Sequence, residues 1–247
     1  QQIIILENLI LFSLIWSLGS TIDEESRFKF SEFFLKEIKG ENLVASQDLP
    51  YKFTGPAFPD KLTCFEYVFD RKTNDWYPWV DTFETQPIAD DAQYNEIIVP
   101  TLDTIRYGFI LEKLVLNQKP VMFIGPTGTG KTAYIKELLL SGKNQHILPS
   151  FINFSARTSA NQTQDIIESK LIRRKRGVLG APVSKKLVFF VDDLNMPALE
   201  VYGAQPPIEL LRQYEDHRGW YRRKDKSGSF IEIEDIQFVT AMGPPGG

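Results

Sequence analysis

VMFIGPTGTGKT, residues Val121 to Thr132, joins a short apolar run to a glycine-rich loop that conforms to the pattern G-x-x-x-x-G-K-[ST]. The apolar run predicts a buried strand, and the apolar spacing from Thr132 to Leu140 predicts a helix. Strand, loop and helix in this order form the context in which the pattern binds phosphate groups. A chance glycine-rich turn would not carry both neighbours.

The loop residues match the requirements of a nucleotide phosphate site. Glycines let the backbone bend so that its N–H groups point at phosphate oxygens, and the helix N-terminus adds a favourable dipole. Lys131 is expected to reach the β- and γ-phosphates, and Thr132 to place its hydroxyl on Mg²⁺. We therefore predict ATP or ADP with Mg²⁺ as the cofactor. The predicted loop contacts are Gly125, Pro126, Thr127, Gly128, Thr129, Gly130, Lys131 and Thr132.

A second apolar run, VFFV at Val188 to Val191, leads into two carboxylates. Asp192 would lie at the carboxyl end of a central strand, where open α/β sheets bind ligands, and it is predicted to hold Mg²⁺ directly or through water. Many nucleotide hydrolases carry Glu at the next position, as the base that activates water. Asp193 stands there instead, one methylene shorter, and base catalysis depends on hydrogen-bond reach.

Strands and helices alternate from Ile97 onward, which predicts an α/β fold with a parallel sheet covered by helices on both faces. A long helix is expected from Ser159 to Arg174, with Ile166, Ile167 and Leu171 facing inward, and a hairpin from Trp220 to Ile233. The other predicted helices are Leu102–Val115 and Pro207–Asp216, and the other predicted strands are Phe151–Phe154, Leu187–Val191 and Ile236–Ala241.

The residues upstream of Ile97 differ in composition and apolar pattern from those that follow. We therefore divide the chain into a helical segment (1–40), an irregular connection (41–95) and a nucleotide-binding domain (96–247). The apolar run Ile3 to Gly19 could be taken for a membrane anchor. Its polar interruptions, its length and the lack of a basic flank favour a buried helix that ends at Gly19 as the C-terminal cap. The connection is rich in proline and aromatics, and we expect it to be packed rather than floppy.

Composition limits the function classes. The chain has 247 residues, 43% of them hydrophobic, and a net charge of −4, which weighs against nucleic acid as the main partner. Cys64 is the single cysteine, and the two histidines lack partners at metal spacing, so neither a disulfide nor zinc is expected. The chain starts at Gln1 and stops in a Gly-Pro run, and we expect it to be a fragment.

Two basic clusters allow alternative interpretations. Arg173 to Arg176 could bind nucleic acid, but no aromatics are interleaved for base stacking, and a solvated helix end is favoured. Arg222, Arg223 and Lys224 lie beside Trp220 and Tyr221. They could contact a neighbouring subunit or domain, or form a solvated hairpin, and both interpretations remain open.

Three stretches resemble the third AAA+ module of dynein heavy chains, most closely those of the axonemal type: FINFSARTSANQTQDIIESKL (151–171), FVDDLNMPALEVYGAQPPIELLRQYEDHRGWY (190–221) and FVTAMGPPGG (238–247). LFSLIWSLGSTIDEESRFKFSEFF (11–34) resembles the end of the small helical part of the second module. VPTLDTIRYGFILEKL (99–114) resembles the start of the third module. The resemblance covers essentially the whole chain and implies a P-loop AAA+ sheet flanked by helices and preceded by a small helical segment.

The resemblance implies a ring motor that walks on microtubules by ATP hydrolysis, with its main hydrolytic site in the first module. This chain would then be a regulatory nucleotide site. Ile97, Ile98 and Val99 match the segment that helps form the adenine pocket. The implied partners are the neighbouring AAA+ modules of the same heavy chain, the microtubule through other parts of that chain, and dynein intermediate and light chains. Nucleic acid and membrane are not expected. The implied location is the cytoplasm and cytoskeleton, in the ciliary axoneme.

Two departures from the family pattern affect the expected chemistry. Cytoplasmic dyneins carry Asp-Glu where this chain has Asp192-Asp193, and they carry a water-positioning Asn where this chain has Gly243. We therefore predict a regulatory site with slow or no hydrolysis. The alternatives are an active hydrolase that uses Asp193 as base, and a structural module with permanently bound nucleotide. A nucleic-acid translocase is disfavoured by the acidic balance of the chain.

Overall fold

The structure is a computed structural model that describes residues 2–40, 56–83, 101–141, 144–223 and 228–244. The chain divides into two compact units, Gln1–Arg106 and Tyr107–Gly247, and each is described by itself. The helices are α1 (Gln2–Ser17), α2 (Glu24–Lys39), α3 (Leu102–Leu116), α4 (Lys131–Leu140), α5 (Ala160–Glu168) and α6 (Pro206–His217). The strands are β1 (Tyr67–Asp70), β2 (Asp75–Pro78), β3 (Val121–Ile124), β4 (Ile147–Asn153), β5 (Ile172–Lys175), β6 (Val178–Gly180), β7 (Lys186–Asp192), β8 (Gly219–Tyr221), β9 (Phe230–Glu234) and β10 (Ile236–Met242). Short 3₁₀ helices span Gly19–Thr21, Cys64–Glu66 and Trp79–Thr82.

The first unit is held together by aromatic side chains. Trp16 of α1 meets Phe65 and Trp79 edge to face, with ring centroids 5.9 Å and 6.3 Å away. Phe58 lies 4.5 Å from Trp76 of β2, which pairs with β1 in an antiparallel ribbon. Residues 56–83 are therefore packed around buried rings, as expected of aromatic side chains with large apolar surfaces. Residues 41–55 and 84–95 of the predicted connection lie outside the described residues.

Glycine has different roles at the ends of the first two helices. Gly40 ends α2 in the left-handed conformation, with φ of 73°, and its N–H donates to the carbonyl of Glu37 over 3.0 Å. Gly19 was predicted to cap α1 in the same way, and that prediction is wrong. Helix α1 ends at Ser17, and a Cβ added to Gly19 would lie 2.7 Å from Cζ of the buried Phe65 ring. Gly19 is thus needed for close packing against an aromatic ring.

Helix α1 buries one part of its surface and exposes the rest. Leu11, Ile15 and Trp16 are buried within the first unit, whereas Ile3 and Leu6 are 64% and 60% exposed. The segment Gln2–Thr21 is long and apolar enough to cross a membrane by length and composition, and 33% of an 18-residue apolar stretch within it is buried. The predicted buried helix is therefore confirmed only for the face that carries Leu11, Ile15 and Trp16, and it is wrong for the exposed face.

The second unit is built on the predicted parallel sheet, with strand order β3-β10-β7-β4. Strand β7 decides its layering, because side chains alternate between the two faces of a strand. Leu187, Phe189 and Val191 join one core cluster with Ile167 of α5, while Val188 and Phe190 join another with residues of α3 and α4. Both faces of β7 are therefore covered, which confirms the predicted α/β class.

A second sheet, with strand order β5-β6-β9-β8, was not predicted. The predicted helix from Ser159 to Arg174 is wrong in its second half, because α5 ends at Glu168 and β5 begins at Ile172. Gly177, with φ of 79°, allows the tight turn from β5 into β6. Of the three residues predicted to face inward, Ile167 is fully buried and Ile166 is 42% exposed.

The basic run from Arg173 to Arg176 therefore lies on a strand and its turn, and the predicted solvated helix end is wrong. Arg174 forms an ion pair with Asp235 over 3.0 Å, and Lys175 approaches Glu234 at 3.5 Å. The two ion pairs link β5 to the junction of β9 and β10. Arg174 and Lys175 are therefore engaged within the protein and are less available to bind an outside partner.

The remaining elements agree with the sequence apart from their ends. The predicted hairpin is confirmed, since β8 and β9 are antiparallel, although residues 224–227 at its turn lie outside the described residues. Strand β4 begins at Ile147, four residues before the predicted start at Phe151, and Pro149 lies within it. Strand β4 is an edge strand, where proline is tolerated.

Candidate functional site

The predicted phosphate loop connects β3 to α4 at the carboxyl edge of the central sheet. The N–H of Gly125 donates to the carbonyl of Met242 over 3.2 Å, which attaches the start of the loop to the end of β10. Gly128 and Gly130 have φ of 85° and 77°, in the left-handed region that favours glycine. Within the described parts of the chain, the backbone N–H groups of Gly128, Thr129 and Gly130 have no acceptor. Unpaired amides at a helix N-terminus are suited to an anion.

The ammonium group of Lys131 lies over its own loop. It donates to the carbonyl oxygens of Gly125 and Pro126, each over 2.7 Å, and lies 3.3 Å from the hydroxyl of Thr129. This places a positive charge at the mouth of the loop, held by neutral acceptors. A phosphate oxygen is a stronger acceptor for an ammonium group than a carbonyl, so a bound nucleotide could take these contacts over.

Asp192 and Thr132 meet at the predicted metal position. Asp192 ends β7 and is 9% exposed, and its Oδ2 accepts a hydrogen bond of 2.7 Å from the hydroxyl of Thr132. Hard oxygen donors next to a phosphate loop fit Mg²⁺, which is held by one or two protein oxygens together with substrate phosphates and water. Within the described residues, no cluster of three or more His, Cys, Asp or Glu could hold a metal. A magnesium site that uses phosphate oxygens does not require such a cluster.

Asp193 occupies the turn by which the chain leaves β7. Its φ is 53°, its side chain is exposed, and its N–H donates to Oδ1 of Asp192 over 3.1 Å. The turn is fixed by the N–H of Leu194, which donates to the carbonyl of Ala241 over 3.0 Å, and by the N–H of Met196, which donates to the carbonyl of Asp193 over 2.9 Å. Asp193 is therefore next to the predicted metal position but on its solvent side.

The end of β10 brings Gly243 close to a residue that sequence reasoning missed. A Cβ added to Gly243 would lie 3.8 Å from Nδ2 of Asn195, so an amide lies near the position where the family pattern has its Asn. Asn195 is two residues beyond Asp193 along the chain and follows the end of β7, whereas Gly243 follows the end of β10. The only available signal was its position in the turn directly after the carboxylates.

The structure thus brings the phosphate loop, Asp192 and Asp193 to one edge of the sheet. Gly243 and Asn195 lie at the same edge, since they follow the carboxyl ends of β10 and β7. The predicted adenine contacts Ile97, Ile98 and Val99 lie outside the described residues. The groups that are described here can hold phosphate and a divalent cation, and they offer one exposed carboxylate near that position.

Two family models match the chain. The model described as the P-loop containing dynein motor region matches residues 86–247, and the model described as the dynein heavy chain AAA lid domain matches residues 1–81.

Similar curated proteins are dynein axonemal heavy chains. Dynein axonemal heavy chain 3 of Mus musculus is 48% identical over 252 residues, which is 100% of this chain and 6% of the relative. Dynein axonemal heavy chain 1 of Homo sapiens is 45% identical, over 98% of this chain and 6% of the relative. Dynein axonemal heavy chain 12 of Mus musculus is 44% identical, over 96% of this chain and 8% of the relative. The chain therefore spans less than a tenth of the length of these relatives.

Proposed function

Because the chain belongs to the dynein heavy-chain family, we propose that it is an ATP-binding AAA+ module of a microtubule-based ciliary motor, with a regulatory nucleotide site that hydrolyses ATP weakly or not at all. The observation that carries the proposal is the hydrogen bond of 2.7 Å between Thr132 and Asp192. It joins two predicted magnesium ligands beside a phosphate loop in which the N–H groups of Gly128, Thr129 and Gly130 are unpaired within the described chain.

The binding half of the site has the groups that it needs. Lys131 supplies the positive charge, the glycine-rich loop supplies N–H donors, and Asp192 with Thr132 supplies oxygen ligands for the metal. Mg²⁺, when bound, would neutralise phosphate charge. The residues of this chain do the rest, since they bind and orient the phosphates at the end of α4 that carries the favourable dipole.

The hydrolytic half of the site is weaker. Asp193 is exposed, lies in a left-handed turn, and has a shorter side chain than the usual Glu. Gly243 offers no polar side chain at the end of β10. A general base must come within hydrogen-bond reach of the water that it activates, and water in an open site weakens every electrostatic contact. These features favour a site that holds nucleotide and passes its state to its neighbours.

An active hydrolase is the second candidate, and one observation favours it. Asp193 directly follows Asp192, and its N–H is bonded to Oδ1 of that carboxylate. The backbone of Asp193 is therefore attached to the Asp192 carboxylate at the edge where the phosphates would lie.

We assign residues 1–40 to the end of the preceding module, 41–95 to a connection and 96–247 to the nucleotide-binding domain. The relatives are axonemal heavy chains by name, and we propose the same location for the present chain. Its proposed partners are the neighbouring AAA+ modules, with the microtubule and the intermediate and light chains bound through other parts of the heavy chain. The adenine is proposed to lie against Ile97, Ile98 and Val99.

Calorimetric titration with MgADP and MgATP tests the binding proposal. Lys131→Ala should abolish binding, because the β- and γ-phosphates lose their charged partner. Lys119→Ala is the matched control, since it removes the same charge just before β3, at the opposite edge of the sheet. Unchanged affinity in Lys131→Ala would overturn the assignment of the loop.

A further inference from the structure

We propose that the side-chain amide of Asn195 contacts the terminal phosphate of a bound nucleoside triphosphate, so that the site distinguishes triphosphate from diphosphate. The inference rests on the proposed nucleotide site and assigns it a residue that the sequence patterns do not mark. Asn195 would act as a ligand-binding residue.

The backbone around Asn195 is held in place from several sides. Its carbonyl accepts a hydrogen bond of 3.1 Å from Nε2 of Gln205, which also donates to the carbonyl of Pro197 over 2.6 Å. On the other side, the N–H of Leu194 is bonded to the carbonyl of Ala241 in β10. The turn is thus fixed to the central sheet, and the backbone position from which the Asn195 side chain extends is defined.

The strand order places this amide at the same edge of the sheet as the phosphate loop. Strand β10 lies between β3, which leads into the loop, and β7, which ends at Asp192. The carbonyl of Met242, at the end of β10, accepts from the first loop N–H, and Gly243 is the next residue. Nδ2 of Asn195 lies 3.8 Å from a Cβ added to Gly243, so the amide lies beside the end of β10, the strand between those that lead to the loop and to Asp192.

The chemistry of this amide suits a phosphate oxygen. Its Nδ2 carries two N–H donors, and within the described residues the Asn195 side chain has no hydrogen-bond partner. Its nearest polar neighbours along the chain, Asp192 and Asp193, are carboxylates, which accept hydrogen bonds and repel anions. A neutral donor beside two carboxylates is therefore the group of this turn that can bind the terminal phosphate without a metal. Gly243 leaves room for that contact.

Equilibrium titrations of the purified chain with MgADP and with a slowly hydrolysed MgATP analogue test the proposal. Asn195→Ala should weaken the analogue about tenfold, as expected for the loss of one hydrogen bond to a charged group, while the affinity for MgADP should change by less than about twofold. Asn195→Asp, of equal size, should weaken the analogue further through repulsion and again spare MgADP. Asn117→Ala removes an amide ahead of β3, at the opposite edge, and should change neither affinity.

The outcomes separate this inference from the proposed function. If Lys131→Ala abolishes binding while both Asn195 variants keep the wild-type ratio of the two affinities, the inference fails and the nucleotide site stands. Equal weakening of both nucleotides would mean that Asn195 only shapes the turn, which also overturns the inference. If Lys131→Ala binds as the wild type does, the proposed function itself fails. Should Asn195→Ala lower the melting temperature, Asn195→Asp carries the test alone.

Discussion

The hydroxyl of Thr132 donates to Oδ2 of Asp192 over 2.7 Å, which joins the first turn of α4 to the end of β7. The two residues are 60 positions apart in the sequence, yet they supply one predicted metal site. Both lie at the carboxyl edge of a parallel sheet, where open α/β folds bind their ligands.

Asp192→Ala and Thr132→Ala should therefore affect nucleotide binding through the same ion. Each single change is expected to weaken MgATP binding about tenfold, because a ligand oxygen with a charged partner is lost. The double variant should cost less than the sum of the two free-energy changes, since both residues act on one cation. Calorimetry with Mg²⁺ and with excess chelator measures both effects.

The chelator condition is the internal control, because without Mg²⁺ the two single variants should differ little from the wild type. Asp216→Asn is the control and removes a carboxylate at the end of α6. This end of α6 lies near the start of β10, away from the metal position, because the hydroxyl of Tyr214 donates to the carbonyl of Ile236. It should leave binding unchanged. Full additivity of the two site variants would contradict a shared metal position.

Gly19→Ala should destabilise the first unit. The added Cβ would lie 2.7 Å from Cζ of Phe65 and 2.9 Å from Cε1 of Phe30, and the Phe65 ring is 2% exposed and cannot move aside freely. Overpacking of this kind costs about 1–3 kcal/mol in unfolding free energy. Urea denaturation followed by tryptophan fluorescence reports it, because Trp16, Trp76 and Trp79 are buried in this unit.

Gly108→Ala adds the same methyl group in α3, where the Cβ would meet only Cδ1 of Leu138, at 3.4 Å. It should be neutral or stabilising, since Ala is the better helix former. A Gly19→Ala protein as stable as the wild type would show that the ring packing around Gly19 is loose.

Burial raises the pKa of the Cys64 thiol from 9.0 to about 11. The folded state therefore retains a proton that the unfolded chain loses above pH 9, so Cys64 should lower stability as pH rises from about 9 to about 11. The expected loss is about 2 kcal/mol at the upper end of this range. Denaturant unfolding across this pH range measures it.

Cys64→Ser removes this titration, and the steep decline specific to the wild type should disappear in that variant. A thiol reagent offers a second readout, because fully buried Cys64 should react only when the protein is unfolded. Rapid labelling of the native protein would contradict the buried position.

The phosphate loop was predictable because its signal is local. Gly128 and Gly130 adopt left-handed backbone conformations that favour glycine, and the strand and helix on either side show their own apolar patterns. Strand β7 was predictable for a related reason, since a run that is buried on both faces reads as continuously apolar.

The second sheet was missed because its pairing is not local. Strand β5 reads Ile-Arg-Arg-Lys, without alternating apolar residues, and β6 pairs in parallel with β9, more than 50 residues later. The spacing of Ile166, Ile167 and Leu171 suits a helix equally well, so only tertiary contacts end α5 at Glu168. The prediction for Gly19 was wrong for the same reason, because its packing partner Phe65 comes from another segment. Asn195 was missed because its proximity to Gly243 is not visible in the sequence.

We propose above all that this module holds MgATP and rarely hydrolyses it. The direct measurement is a single turnover of ATP bound at this site, in the heavy chain that carries the module, with the phosphate-loop lysine of the first module replaced. We predict that most bound ATP dissociates without being hydrolysed. General base catalysis accelerates hydrolysis by roughly 100- to 10,000-fold, and a poorly placed base loses much of that acceleration. The opposite result would be hydrolysis of bound ATP to ADP at a rate faster than ATP release, with that hydrolysis lost in Asp193→Asn. It would show that Asp193 is a competent base and would contradict the regulatory function.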